Sequence, residues 1–221
     1  MQYDNVRRAV FLARPNRFLA RAELDGAVET VHVKNTGRCR ELLVPGAEIW
    51  LTRSDNPDRK TRYDLIAVRK SDGVLFNIDS QAPNAAVGEW LARQGFDRIQ
   101  PEYRFGQSRV DFRMERGGLR YLLEVKGCTL ERASIGYFPD APTERGAKHL
   151  RELTAAAARG WQTAVAFVMQ AEGMQKVLPN RETDPAFADA LEAAERAGVR
   201  VLSLPCRVEP DRLEILDSIR L

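Results

Sequence analysis

The sequence predicts a protein of mixed α+β type, with a small closed β-barrel over residues 1–80 and an α/β domain over residues 81–221. Three observations carry that reading. Short alternating segments parted by turn residues crowd the first eighty positions. Beyond residue 80, helical periods interleave with apolar runs of strand length. The length of 221 residues exceeds one mean domain and falls short of two large ones.

In the first part, residues 18–24 alternate apolar and polar, Asp25-Gly26 is a hairpin signal, and residues 28–33 alternate again. Asn35-Thr36-Gly37 marks a second turn, and residues 41–44 run into the breaker Pro45-Gly46. Strand signals follow at 49–52, 63–68 and 74–78, with a loop at Pro57 and a turn at Ser71-Asp72-Gly73. Five or six strands at this spacing suit a small closed barrel, the size class to which oligonucleotide-binding barrels belong.

In the second part, residues 83–94 fit a helix, with proline in its first turn and Gly95 as its stop. Residues 110–114 and 119–125 flank a Gly117-Gly118 turn. Thr143 is placed to cap a helix that ends at Gly160, and Asp184-Pro185 opens another that ends at Gly198. Residues 163–169 and 199–204 read as buried strands. No repeat, low-complexity tract or long linker separates the two parts, so they are expected to pack closely.

Composition narrows the function. A chain 44% hydrophobic and 29% charged has globular composition. Its best apolar run, residues 163–169, is far too short to cross a bilayer, and the first residues lack the pattern of a secretory signal. Three scattered cysteines and two histidines make no structural zinc site. A soluble, reduced, cytoplasmic protein is expected. The net charge is +3. Residues 1–80 hold 14 basic and 11 acidic side chains, whereas residues 81–221 hold 20 of each. The excess therefore sits in the barrel, as a phosphate-binding face requires, although three charges also suit an ordinary solvated surface.

Glu124-Val125-Lys126 sets a carboxylate and an ammonium two apart on a strand, on one side of the sheet. Asp111 lies at the start of the neighbouring strand, and Glu89 on the preceding helix offers a third carboxylate. Carboxylates around one point repel unless a cation lies between them, and oxygen ligands alone select a hard ion such as Mg2+ or Mn2+. The chemistry this suits is metal-assisted phosphodiester hydrolysis, with Lys126 orienting the nucleophile. Each signal has an ordinary alternative: Glu-x-Lys as an exposed charge pair, and Glu89 with Arg93 as a helix-surface pair. Neither histidine has an identifiable serine or cysteine partner, and the chain contains no Gly-x-Ser-x-Gly turn and no phosphate-cradling glycine loop.

The stretches at residues 14–20, 34–38, 58–65, 108–112, 124–126 and 138–150 together resemble the sugar fermentation stimulation protein A family, in order and over nearly the whole chain. The resemblance implies an oligonucleotide-binding barrel followed by a domain similar to the PD-(D/E)XK nucleases. It places the nuclease signature on Asp111, Glu124 and Lys126, with Glu89 as the helix-borne acid and the Val125 carbonyl completing the metal shell. It also implies nucleic-acid contact by Arg14, Arg17, Arg38, Arg59, Lys60 and Arg109, and an approach of Arg145 and Lys148 to the scissile phosphate. Phe18 and Tyr63 are assigned to core packing, with stacking on bases, as such barrels often arrange, as the alternative, and His149 to local hydrogen bonding. Lys34 and Cys39 stand where relatives suggest proline and methionine, and an arginine expected after Gln170 is missing. Two functions follow: a metal-dependent DNA/RNA nuclease, or a non-catalytic DNA-binding regulator of sugar (maltose) metabolism. Nothing in the chain resembles a sugar-processing site.

Overall fold

The computed structural model describes residues 1–35, 37–106 and 108–221; Thr36, at the centre of the expected Asn35–Gly37 turn, lies outside the described residues. The chain opens with β1 (Val6–Asn16), β2 (Leu19–Leu24), β3 (Ala27–Val33), β4 (Glu48–Arg53), β5 (Tyr63–Arg69) and β6 (Leu75–Asn77). The strands run in the order β3-β2-β1-β4-β5-β6, and a parallel pairing of β3 with β5 through His32–Asp64 and Val33–Leu65 closes the barrel. Alternation puts Phe11, Val31, Ile49, Leu51 and Leu65 inside, each at most 1% exposed.

Two features differ from the sequence reading. β1 is an eleven-residue strand that begins twelve residues before the first expected one. Residues 41–44 form a turn rather than a strand: Cys39 takes a φ of 46°, and its carbonyl accepts from the amides of Leu42 and Leu43.

The second part contains α1 (Ala82–Ala92), β7 (Arg98–Phe105), β8 (Ser108–Arg116), β9 (Leu119–Cys128), β10 (Leu130–Arg132), β11 (Ile135–Phe138), α2 (Glu144–Ala157), β12 (Gln162–Met169), β13 (Lys176–Pro179), α3 (Pro185–Arg196), β14 (Arg200–Leu204), β15 (Cys206–Glu209) and β16 (Arg212–Ile215). The central sheet has the order β14-β12-β9-β8-β7; β9, β12 and β14 are parallel, and β7 and β8 antiparallel. Both expected caps form. Thr143 Oγ1 accepts from the Gly146 amide at 3.1 Å, and Asp184 Oδ1 from the Phe187 amide at 2.9 Å. One face of the sheet packs Phe112, Leu123 and Val125 against Val87, Trp90 and Leu91 of α1. The other packs Leu122, Val165 and Phe167 against Leu150, Leu153 and Phe187 of α2 and α3, in an apolar core continuous with the barrel interior. No helix among the described residues is long and apolar enough to cross a membrane.

Gln170, just past β12, joins the two parts. Its buried amide donates to the Asn77 carbonyl, to Asn77 Oδ1 and to the Asp79 carbonyl at 3.0–3.2 Å, and its own carbonyl accepts from the Asn77 amide. A second tie links Asp140 to the barrel turn, where Oδ2 accepts from the Arg38 amide at 2.7 Å. All three cysteines are free and buried, and burial pushes each thiol up to about 12.

Candidate active site

β9 crosses the middle of the sheet, so its side chains are sorted between two buried faces. Leu123 and Val125 face α1; Glu124 and Lys126 face α2. Glu124 is 3% exposed, a position a carboxylate tolerates only when paired. Its Oε1 accepts from Lys126 Nζ at 2.6 Å and from His149 Nδ1 in a short contact. α2 delivers that histidine from the second turn after the Thr143 cap. Arg145, one turn earlier, donates from Nε to His149 Nε2 at 3.3 Å. Nε2 is therefore the acceptor, and the proton on Nδ1 is the one directed at Glu124.

Asp111 completes the pair. The β8–β9 ladder ends at Phe112–Leu123, and one step further Asp111 Oδ2 takes the Val125 amide at 2.7 Å. Oδ1 accepts from Asn84 Nδ2 of α1 at 2.8 Å. The two carboxylates are shifted in opposite directions. Burial, then the charge of Glu124, raises Asp111 above the usual carboxylate range. Glu124 feels burial even more strongly, yet the His149 hydrogen bond and the Lys126 charge outweigh it and hold its carboxyl below that range. Of the four carboxylate oxygens, Glu124 Oε2 takes no protein donor among the described residues. A destabilised acid beside an ionised one is an arrangement that a cation would relieve.

Glu89 is not part of this arrangement. Its carboxylate is more than half exposed and binds the Met1 amino group at 2.7 Å, beside β16. Five residues separate it from Asn84, a rotation of about 140° around the helix. Asn84, not Glu89, is thus the α1 residue at the acid pair.

The proposed nucleic-acid ligands fall into two groups. Arg14 is held internally: its terminal nitrogens donate to the carbonyls of Arg17, Asn35, Gly37 and Arg38 at 2.7–2.9 Å. These bonds make it a brace of the barrel tip. Arg59 grips Asp64 with both terminal nitrogens, and Lys34 and His32 crowd the same carboxylate. Burial works against the Asp64 anion, but Arg59 and Lys34 hold it below its ordinary range.

Arg17, Arg38 and Lys60 are exposed and form no ion pair among the described residues. Arg109 makes a surface pair with Glu102 at 3.0 Å, and Lys148 a loose one with Glu152 at 3.8 Å; such pairs are weak and exchangeable. Beside the core-packed Tyr63, Phe18 departs from expectation: it is 50% exposed, with the Arg17 guanidinium 5.4 Å from its ring centroid. Asn16 Oδ1 accepts from the Phe18 and Leu19 amides and fixes the hairpin tip.

Residues 81–212 match the model of the sugar fermentation stimulation protein RE domain, and residues 12–78 that of the SfsA N-terminal OB domain. The chain belongs to the SfsA family. Sugar fermentation stimulation protein homologs from Desulfitobacterium hafniense (strain DSM 10664 / DCB-2) and Ruminiclostridium cellulolyticum are 49% and 45% identical, over 99% and 97% of this chain and 97% and 96% of theirs. The structure of Pyrococcus furiosus SfsA in complex with Ca2+ superposes with a TM-score of 0.86 at 28% identity, covering 98% of this chain and 94% of that one. In this family fold the barrel is the OB domain, and the five-stranded sheet with its three helices is the RE domain.

Proposed function

We propose that this SfsA protein is a metal-dependent nuclease that hydrolyses DNA or RNA phosphodiester bonds in the cytoplasm. The observation that carries the reading is the convergence of Asp111 and Glu124 at the end of the β8–β9 ladder, with Lys126 hydrogen-bonded to Glu124. The donor set fits Mg2+ or Mn2+. Among the described residues no three His, Cys, Asp or Glu side chains form a closed metal cage. A hard ion that keeps part of its shell for water and phosphate oxygens needs no such cage, and the Val125 carbonyl is the backbone candidate for a further ligand. The Ca2+ of the Pyrococcus furiosus relative supports a divalent ion at this fold.

When bound, such an ion neutralises phosphate charge and lowers the pKa of a water. Asp111 and Glu124 would hold it, with Asn84 and His149 orienting them, and Lys126 would offset negative charge on the phosphate. Arg17, Phe18, Arg38 and Lys60 form the docking surface on the barrel, and Arg109, Arg145 and Lys148 a second cationic group on the RE domain.

The test is incubation with single- and double-stranded DNA and RNA in Mg2+, Mn2+ or chelator. Cleavage that requires the metal is expected. Salt-sensitive binding without cleavage under any metal would instead select the non-catalytic regulator. The docking surface is checked separately: Arg17→Ala and Arg38→Ala should each lower the slope of log affinity against log salt by about 0.7–0.9. Arg14→Lys should weaken binding without that signature, because it disturbs the turn and removes no phosphate contact.

A further inference from the structure

The strand that carries Glu124 and Lys126 runs on past them. Gly127, Cys128 and Thr129 form the floor of a cleft of about 290 Å3 between the two domains. The barrel turn at Asn35 and Gly37 lies on one side and the 137–143 segment on the other. Thr143 borders the cleft and also caps α2, the helix whose His149 reaches Glu124. The cleft and the acid site therefore share strand β9 and the start of α2.

Its chemistry differs from that of the acids. No lysine or arginine appears among the described residues of its wall, and Asp140 is the one carboxylate. The remaining polar side chains there are hydroxyls and amides, such as Asn35 and Thr129, with Tyr137 supplying an aromatic flank; the Gln170 amide and the Ser80 hydroxyl already donate to Asn77, Asp79 and Lys34. A phosphate finds no counter-charge inside. A flat, neutral group rich in donors and acceptors finds partners on several sides. Cations flank the wall along the chain: Arg38 follows Gly37 and its amide donates to the wall residue Asp140, Lys126 precedes Gly127, and Arg145 lies two residues beyond Thr143. A neutral pocket on elements that also carry cations matches one nucleotide unit, the base inside and the phosphates outside. The volume accommodates a single nucleoside.

We propose that this cleft seats one unpaired nucleobase of the bound strand beside the acid pair, and so directs the protein to single-stranded or frayed segments in preference to intact duplex. The inference rests on the nucleic-acid reading above and adds to it the substrate class. Extrusion of a base from a duplex costs a few kcal/mol that a single strand avoids, which is the source of the preference.

The test places 2-aminopurine at successive positions of an oligonucleotide and follows its emission on binding in Ca2+. The expected result is a change confined to one or two adjacent positions in single-stranded DNA, absent from internal positions of a duplex. An abasic site at the responding position should weaken binding about tenfold, the scale of one lost base contact, and have little effect elsewhere. Ala141→Trp, which fills the cleft from a half-buried wall residue, should abolish the positional response and leave the Arg17 and Arg38 salt slopes unchanged. Emission that changes equally at all positions, or an abasic effect independent of position, would overturn the proposal. A positional response without cleavage in any metal removes the nuclease reading alone; cleavage with a uniform response removes the pocket alone.

Discussion

Glu124→Gln should abolish metal-dependent cleavage, by on the order of 10^4-fold, while nucleic-acid binding through the barrel stays within about twofold of wild type. The substitution is chosen for its geometry. A glutamine keeps an oxygen where Lys126 and His149 donate, so the buried contacts that hold β9 to α2 persist. It turns Oε2, the oxygen without a protein donor, into an NH2 group that cannot ligate a cation. Loss of activity with an unchanged melting temperature then reports on the metal and not on folding. His149→Ala should fall between, losing about 10- to 100-fold in Mn2+ affinity by calorimetry, the scale for a residue that orients a ligand. Wild-type cleavage by Glu124→Gln would end the catalytic assignment of this carboxylate.

Gly127→Ala should lower stability by about 3 kcal/mol, a fall of roughly 6–12 °C in Tm for a chain of this size. A Cβ at this position would sit 2.2 Å from Gln170 Oε1 and 2.8 Å from Pro83 Cγ. The Gln170 side chain can yield only by giving up three hydrogen bonds to Asn77 and Asp79, and that leaves buried polar groups unpaired. Because those bonds tie the barrel to the RE domain, the loss should also uncouple the two in thermal unfolding. Gln170→Ala supplies the control: if the clash acts through this side chain, the double variant costs little more than Gln170→Ala alone. A Gly127→Ala protein that melts within a degree of wild type would show that the junction repacks freely.

Some of this molecule was legible residue by residue. The caps at Thr143 and Asp184 could be read because an N-cap oxygen meets an amide only three residues away. The Glu124–Lys126 pair could be read because strand alternation alone puts positions two apart on one side. The alternation of β2 and β3, with further strand signals between turns, announced a barrel for the same reason. β1 could not be read. Arg7, Arg8 and Pro15 interrupt its pattern, and its length is set by pairing with β2 and β4, which closure of the barrel imposes.

The site divides in the same way. Asp111, Glu124 and Lys126 are brought together as their spacing requires. Glu89 is a carboxylate on the right helix but the wrong side of it, since helical period says which residues share a face and not which face meets β8. Arg14 and Arg59 read as surface cations until their acceptors, supplied in good part by other strands and turns, come into view. His149 has a visible i,i+4 relation to Arg145, yet its partner Glu124 lies 25 residues away in another element. Sequence determined the elements, their buried sides and the residue types able to hold a divalent ion, because these follow from short-range periodicity. The tertiary structure decided which polar groups meet, since a hydrogen bond or ion pair forms only where docking brings its two halves within about 3 Å.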